Sequence, residues 1–409
     1  MDRKLWLSPP LILEQALAKS IGEKWHPCPG VQWNHILLDA VGPVLCSFAH
    51  WIASQHDPDQ PLFCVLREGQ LIGRLVQALG VPAVHDISLN RRLCLKAAVL
   101  SAEDEEGLLN ILIRARRCPM TVTEAMTELE LPHPPLPAGT RLVANSPELA
   151  AFLSWLREPG PAAALLTATS GLRTRFLAYL ERIGALDNRQ IILADLGYAT
   201  NIQNALQKIL QHEKKDITTL GLYLVTTPGA SWTIQRGGAV RSYLAHLGKP
   251  EWFTHLFTRA PEPLETLCTN ADGPLIDYTV DGLPVRLPSL LPLEQTEAVK
   301  QLQAALLAQA KTFLKTHAAA ARLKLARFLS LPTFEETSIL APWVYEETLD
   351  TSTRPLAPTA TGNPWKLDRN AMPWPAGAAR QAGWKDELLL YEAKALATPA
   401  PGPENQCCP

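Results

Sequence analysis

The chain lacks most of the motifs that assign a sequence to an enzyme class. It has no G-x-x-x-x-G-K-[ST], no G-x-G-x-x-G after a strand, no G-x-S-x-G and no H-E-x-x-H. These absences exclude the common P-loop, dinucleotide-binding, α/β-hydrolase and zinc-protease patterns. Asp57 and Asp59 are of the residue type found paired in phosphatases, but they precede their strand. We therefore predict a loop there and no phosphatase activity.

Charge and long apolar runs are also scarce. Only 19% of the 409 residues are charged and the formal net charge is −2, so the basic face of a general nucleic-acid binder is missing. We find no run of the roughly 18–20 apolar residues that crosses a bilayer, and no signal peptide at the N-terminus. The sequence thus predicts a cytoplasmic protein with no membrane span and no nucleic-acid partner.

The eight cysteines form no C-x-x-C pair. Several lie in apolar runs, among them Cys46 and Cys64, which predicts buried free thiols. His26 and Cys28 could supply two zinc ligands, but no second pair stands at zinc spacing, so we predict no metal centre. The terminal Cys-Cys-Pro is not a prenylation box.

Strand and helix patterns alternate along the first 230 residues. Short apolar runs followed by helical patterns are typical of buried parallel strands. They predict an α/β fold with a mainly parallel sheet and flanking helices, Rossmann-like or phosphoribosyltransferase-like. The predicted strands are 62–66, 83–88, 162–166, 190–195 and 219–225; the predicted helices are 33–55, 70–79, 91–100, 104–117, 121–130, 147–157, 171–184 and 201–212.

The composition changes along the chain, and it suggests five regions. Beyond the α/β core we expect a hairpin, one long helix broken at most once, and a Trp/Pro-rich segment that docks on the body. The regions are an N-terminal extension 1–32, a core 33–230 with a helical insertion at about 91–158, a hairpin and helix 231–330, a mostly helical docking segment 331–396, and a disordered tail 397–409.

Polar residues follow the first strand directly. Arg67, Glu68 and Gly69 end its apolar run and open the next helix. In a parallel sheet the ligand crevice lies beyond the carboxyl ends of the strands. Arg67 could clamp a phosphate or carboxylate and Gly69 permits close backbone approach. The alternative is an Arg–Glu pair that joins neighbouring loops.

A second polar run, Asp195-Leu-Gly197-Tyr198-Ala-Thr200-Asn201-Ile-Gln203, follows the apolar run 191–194. Asp195 is poorly placed for the core unless it serves a site. Thr200 or Asn201 could cap the next helix and present donors to a phosphate. A capped Asp/Asn turn without a ligand is the alternative.

Asn90, Arg91 and Arg92 follow the second predicted strand and precede a helix. Two arginines at a helix start oppose the helix dipole, so a bound anion would compensate them. A solvated surface pair explains the same residues equally well.

In this order the motifs resemble the non-catalytic region of bacterial haloacid-dehalogenase-like hydrolases linked to cell-surface polysaccharide synthesis, over roughly residues 33–290. The resembling pattern runs from Gly42-Pro43 with Phe48 and Trp51, through the three polar runs above, to Glu265 with Gly273 and Tyr278. The hydrolase domain itself is absent. The resemblance implies association with a glycosyltransferase and binding of a phosphorylated sugar or nucleotide-sugar.

A weaker resemblance is to phosphoribosyltransferases, in which a strand ends in acidic residues before a loop that cradles a phosphate. Three hypotheses follow. The protein is an enzyme or accessory subunit with Asp195 and Glu68 as catalytic carboxyls; or a non-catalytic module that binds a glycosyltransferase through its Trp-rich segment; or a phosphoribosyltransferase-like enzyme with a divalent metal such as Mg²⁺ at Asp195. Glu68 and Asp195 converging would favour an enzyme, and arginines paired with surface carboxylates would disfavour one.

Overall fold

A computed structural model describes residues 33–114, 119–313, 316–347, 352–369 and 371–398. The predicted N-terminal extension and nearly all of the predicted tail lie outside these residues. Four cysteines within the described part of the chain are buried free thiols, as predicted: Cys46, Cys64, Cys94 and Cys268.

The core is a five-stranded, all-parallel sheet with the order β2-β1-β3-β4-β5. The predicted α/β class is therefore confirmed. Its strands are β1 (Leu62–Val65), β2 (Val84–Ile87), β3 (Gln190–Tyr198), β4 (Thr218–Thr226) and β5 (Ala239–Ala245). The fifth strand follows residue 230, where the sequence patterns did not indicate a further strand of the core.

Helices cover both faces of the sheet because its strands are apolar on both sides. Alternate residues of β1 enter opposite cores, with Leu62 and Cys64 in one and Phe63 and Val65 in the other. The helices up to β5 are α1 (Trp33–Gln55), α2 (Gly69–Ala78), α3 (Arg91–Ala97), α4 (Glu105–Leu109), α5 (Val122–Leu129), α6 (Pro147–Leu156), α7 (Pro159–Arg182), α8 (Asn201–His212) and α9 (Ser231–Gln235).

One predicted strand is wrong. Residues 162–166 belong to α7, a 24-residue helix that begins with a proline in its first turn. The run Ala162-Ala-Ala-Leu-Leu is short and apolar, and such a run fits a helix segment as well as a strand. Proline at a helix start, followed by alanines with high helix propensity, decides for the helix.

The region after the sheet contains a hairpin and further helices, as predicted. The elements are α10 (Glu251–Arg259), α11 (Glu262–Cys268), β6 (Leu275–Tyr278), β7 (Pro284–Arg286), α12 (Leu293–Gln309), α13 (Ala318–Ser330), α14 (Phe334–Leu340), β8 (Val344–Glu347), β9 (Ser352–Pro355), α15 (Pro375–Gln381) and α16 (Asp386–Ala397). The predicted long helix is broken once, between α12 and α13. The Trp/Pro-rich segment docks on the body, since Trp374 is fully buried against Phe328.

One helix among the described residues meets the length and composition of a membrane span. It is the 19-residue stretch Leu37–Gln55 of α1, so our expectation that no segment would meet that criterion is wrong. About two thirds of the stretch, 67%, is buried inside the protein. A core helix of this kind passes the same test.

Candidate functional site

A cavity of about 410 Å³ lies at the carboxyl ends of β1, β2, β3 and β4. The chain runs outward from β1 to β2 and then crosses to the other side of β1 to form β3. The cavity sits at this reversal of strand order, where ligands bind in open α/β sheets. The prediction that β1, β3 and β4 share a sheet with Arg67 and Asp195 at one edge is confirmed.

Most of the residues that the sequence singled out meet in this cavity. Those that line it are Arg67, Glu68, Asn90, Arg91, Arg92, Asp195, Gly197, Tyr198, Thr200 and Asn201. Two others do not. Gly69 packs against the backbone of Cys64 and Ala194, where an added Cβ would come within 3.0 Å of the Cys64 carbonyl carbon. Gln203 is fully buried, and its side chain hydrogen-bonds to residues of β4 and β5.

The last residues of β3 and the short loop after it have an unusual backbone. Gly197 has a φ of 111°, and a Cβ there would lie 2.2 Å from the carbonyl oxygen of Val225, so only glycine fits. Tyr198 and Thr200 also have positive φ values, of 78° and 57°. Such angles are uncommon for residues with side chains and concentrate at functional sites. They turn the chain so that the start of α8 lines the cavity.

The N-terminus of α8 has no side-chain cap. Thr200 occupies the N-cap position, but its hydroxyl hydrogen-bonds to the Thr233 hydroxyl at 2.6 Å instead of to the helix. The predicted side-chain cap by Thr200 is therefore wrong. First-turn N–H groups that no side chain caps, together with the helix dipole, favour an anion at this end of the cavity.

Three carboxyl groups form the acidic side of the cavity, which we call the carboxyl floor: Glu68, Asp195 and Glu265. Burial and the charge of Glu68 raise the pKa of Asp195 to about 8. Burial raises the pKa of Glu68 as well, although Arg67 opposes this. Asp195 is therefore mostly a neutral carboxylic acid at pH 7, able to donate a hydrogen bond or a proton.

The third carboxyl has a phenol as its partner. The Tyr198 hydroxyl donates to Glu265 at 2.5 Å, and the Tyr198 ring stacks on Phe257. Burial, and then the charge of Glu265, raise the pKa of Tyr198 well above its ordinary value. Among the described residues no three His, Cys, Asp or Glu side chains form a group that could hold a metal ion. The Mg²⁺ of the phosphoribosyltransferase-like hypothesis has no complete protein ligand set there.

Two of the predicted arginines are engaged by carboxylates. The Arg67 guanidinium donates to the Glu346 carboxylate and, at 3.0 Å, to the Glu346 carbonyl oxygen. Arg92 donates to Glu128 at 2.7 Å. Arg67 and Glu346 are both buried, with 8% and 1% of their side chains exposed. This geometry favours the Arg–Glu alternative for Arg67, with a partner 279 residues away instead of in a neighbouring loop.

Arg91 differs from these two arginines. It is half-buried, lines the cavity and makes no ion pair with any residue of the described ranges. The preceding Asn90 caps α3, since its side chain accepts from the Leu93 N–H at 2.8 Å and donates to the Leu275 carbonyl oxygen at 2.6 Å. Arg91 therefore remains available to a ligand, while Asn90 holds the start of α3 in place.

Sequence reasoning missed the cavity residues contributed after β5. They are Thr258, Glu265, Pro274, Leu275, Arg286, Tyr345 and Arg369. Glu265 stood in the resembling motif, but nothing in its local pattern marked it as a site residue. Tyr345 and Arg369 lie in the docking segment, and no local signal could have linked them to β1 and β3.

The chain is a parallel α/β protein with a cavity at its topological switch point. No protein-family model and no curated protein matches this chain. The two resemblances drawn from its motifs therefore stay predictions.

Proposed function

We propose that the cavity binds a phosphorylated sugar or nucleotide-sugar. The observation that carries this proposal is the presence, in one cavity, of an uncapped helix start and a cation without an ion pair to the described residues beside half-buried carboxyls. The phosphate lies at the N-terminus of α8 near Arg91, and the sugar hydroxyls face Asp195 and Glu68.

The phosphate end follows from helix electrostatics. Backbone N–H groups at the start of α8 supply donors without a competing side-chain cap. Arg91 supplies the charge, because its guanidinium has no carboxylate partner among the described residues. A volume of about 410 Å³ lies within the usual 300–1,000 Å³ of small-molecule sites.

The sugar end follows from the carboxyl floor. A carboxylate accepts from a hydroxyl, whereas a protonated Asp195 can donate to one. A pair of carboxyls with raised pKa values can also move protons, so the floor suits general acid–base chemistry. By the motif resemblance, we propose an enzyme or accessory protein of bacterial surface-polysaccharide biosynthesis, with a glycosyltransferase as its partner.

Calorimetry with glucose 1-phosphate, ribose 5-phosphate, a uridine diphosphate sugar and inorganic phosphate tests this function. We expect Arg91→Ala to weaken the best ligand roughly ten- to a hundredfold, since a charge-assisted hydrogen bond is worth about 1.5–3 kcal/mol. Arg157→Ala is the matched control, because Arg157 is an exposed arginine paired with Glu105 outside the cavity. No binding to the intact protein, or equal binding by Arg91→Ala, would contradict the proposal.

A phosphoribosyltransferase-like enzyme is the second candidate. The specific observation in its favour is that an acidic residue near the end of β3, Asp195, precedes a tight loop and an uncapped helix start. We expect such an enzyme to bind 5-phosphoribosyl 1-pyrophosphate more tightly than ribose 5-phosphate, and to do so only with Mg²⁺. Equal affinities with and without Mg²⁺ would exclude this candidate.

The module hypothesis receives less support from the docking segment. Trp374 is buried, and Trp365 packs against Trp384 within the chain. Side chains that already pack against the body are poor anchors for a partner.

A further inference from the structure

We propose that Gln203 is a positioning residue, which acts through Tyr223 to set the distance between the start of α8 and the carboxyl floor. This inference rests on the proposed function, since it assigns the two ends of the cavity to two parts of one ligand. Gln203, the last residue of the polar run that begins at Asp195, does not line the cavity itself, so we assign it no direct contact with the ligand.

The evidence is a fully buried amide whose hydrogen-bonding groups are all used. The Gln203 side-chain nitrogen donates to the Thr219 hydroxyl at 3.0 Å and to the Ala239 carbonyl oxygen at 2.9 Å. Its oxygen accepts from the Tyr223 hydroxyl at 3.0 Å. One side chain of α8 is thereby tied to both β4 and β5.

Tyr223 connects this amide to the acidic side of the cavity. It pairs in register with Asp195 across β3 and β4, and it lines the cavity. Tyr223 also lies close to the end of β3. A Cβ added to Gly197 would lie 3.0 Å from the Cβ of Tyr223. Tyr223 thus touches the strand that carries the carboxyl, while its hydroxyl reaches the helix that carries the phosphate end.

Gly221 leaves the space that the Tyr223 ring and the Gln203 side chain occupy. A Cβ at Gly221 would lie 2.2 Å from the Tyr223 ring and 2.4 Å from the Gln203 side-chain oxygen. Its φ is not in the left-handed region, so the backbone conformation does not require glycine there. Glycine is required because a side chain would overlap Tyr223 and Gln203.

Buried hydrogen bonds fix the position of α8 on the sheet more sharply than apolar packing does. Shifting α8 along the sheet would leave buried donors or acceptors without partners, which lowers stability for each group left unsatisfied. If only apolar contacts held α8, the same shift would cost less free energy. Thr219 extends the network by donating to Gln207 at 2.9 Å, one turn further along α8.

The chain offers matched controls. Gln207 is also a buried glutamine of α8 in the same network, but its nitrogen donates only weakly, at 3.4 Å, to the Ile217 carbonyl oxygen on the side away from the cavity. Tyr243 is a partly buried tyrosine whose hydroxyl donates to the Thr316 carbonyl oxygen. Neither contacts Tyr223 or the start of α8 in the described hydrogen bonds.

The test compares Tyr223→Phe and Gln203→Met with Tyr243→Phe and Gln207→Met in the full chain. Tyr223→Phe removes one oxygen and is the milder variant, should Gln203→Met fail to fold. By hydrogen exchange we expect faster exchange in the first turn of α8 in Tyr223→Phe and Gln203→Met, and unchanged exchange there in both controls. This measurement needs no ligand.

Binding supplies the second readout. We expect both test variants to weaken glucose 1-phosphate about tenfold, since that ligand spans both ends, and to change the affinity for inorganic phosphate less than threefold. Equal losses for both ligands would mean a merely structural role and would overturn the inference. So would unchanged exchange at the start of α8. If the intact protein binds neither ligand, the proposed function fails, and the exchange result alone decides whether the pair positions α8.

Discussion

The ends of β1 and β3 look alike in sequence and differ in structure. Each is an apolar run that breaks at a charged residue and a glycine before a helix. At the end of β1, Arg67 is matched by Glu346 and is buried with it. At the end of β3, Asp195 has no described cationic partner and lies with two further carboxyls.

This difference separates a structural contact of the cavity from the part to which the proposed function assigns the ligand. A satisfied ion pair holds the docking segment to the sheet, so Arg67 at the β1 end is structural. Glu68 beside it belongs to the carboxyl floor. Half-buried carboxyls that crowd together without a cationic partner cost stability and are typical of sites that bind or react. Under the proposed function, we expect the β3 end, with the uncapped start of α8, to be the side of the cavity that engages the ligand.

The largest effect is expected from breaking the β1 end. Glu346→Ala leaves the Arg67 charge buried without its carboxylate, and the free energy of unfolding should fall by about 3–5 kcal/mol. Urea denaturation measures it. Glu128→Ala is the control, because its partner Arg92 is 24% exposed and can be rehydrated, so its loss should be smaller. Equal losses would show that the Arg67–Glu346 pair does not anchor the docking segment.

A smaller loss is expected from altering the loop at the β3 end. Gly197→Ala must accommodate both a positive φ and a Cβ 2.2 Å from the Val225 oxygen. We expect a loss of about 2–4 kcal/mol. Gly80→Ala is the control: its φ is 100°, but nothing lies within 4 Å of the added Cβ, so about 1 kcal/mol should be lost. If the two substitutions lower the free energy of unfolding equally, the close approach of Gly197 to the Val225 oxygen is not what requires glycine at this position.

The smallest expected effect is a pH dependence of the free energy of unfolding that arises from Asp195. It is also the effect most specific to the comparison of the two strand ends. The pKa of Asp195 is raised from 3.8 to about 8, so between those values the folded protein holds a proton that the unfolded chain has released. Stability should therefore fall as pH rises through this window. Asp195→Asn cannot ionise and should be more stable than the natural protein above pH 8 by roughly 1–3 kcal/mol.

The same variant should show no gain below pH 4, where the carboxyl is protonated in both states. Thermal unfolding from pH 4 to 9 measures this, with the exposed Asp57→Asn as control. A gain that does not depend on pH would mean that the carboxyl of Asp195 is not held neutral by burial and Glu68.

The patterns of the sequence predicted the strands β1, β2, β3 and β4 because buried parallel strands are short, apolar and bounded by turn residues. They did not predict β5, whose residues Ala239 to Ala245 are of mixed polarity at the sheet edge. They also misassigned residues 162–166, because an apolar run of five does not distinguish a buried strand from part of a helix.

By itself the sequence determined the fold class and the place of the site, since local apolar periods specify the strands and polar residues at their ends specify a sheet edge. The tertiary structure alone decided which charges are matched. Arg67 meets Glu346, Glu265 joins Asp195, and Gln203 turns inward to Tyr223. Pairings between residues far apart in the chain depend on how helices pack across the sheet, and no local pattern carries that information.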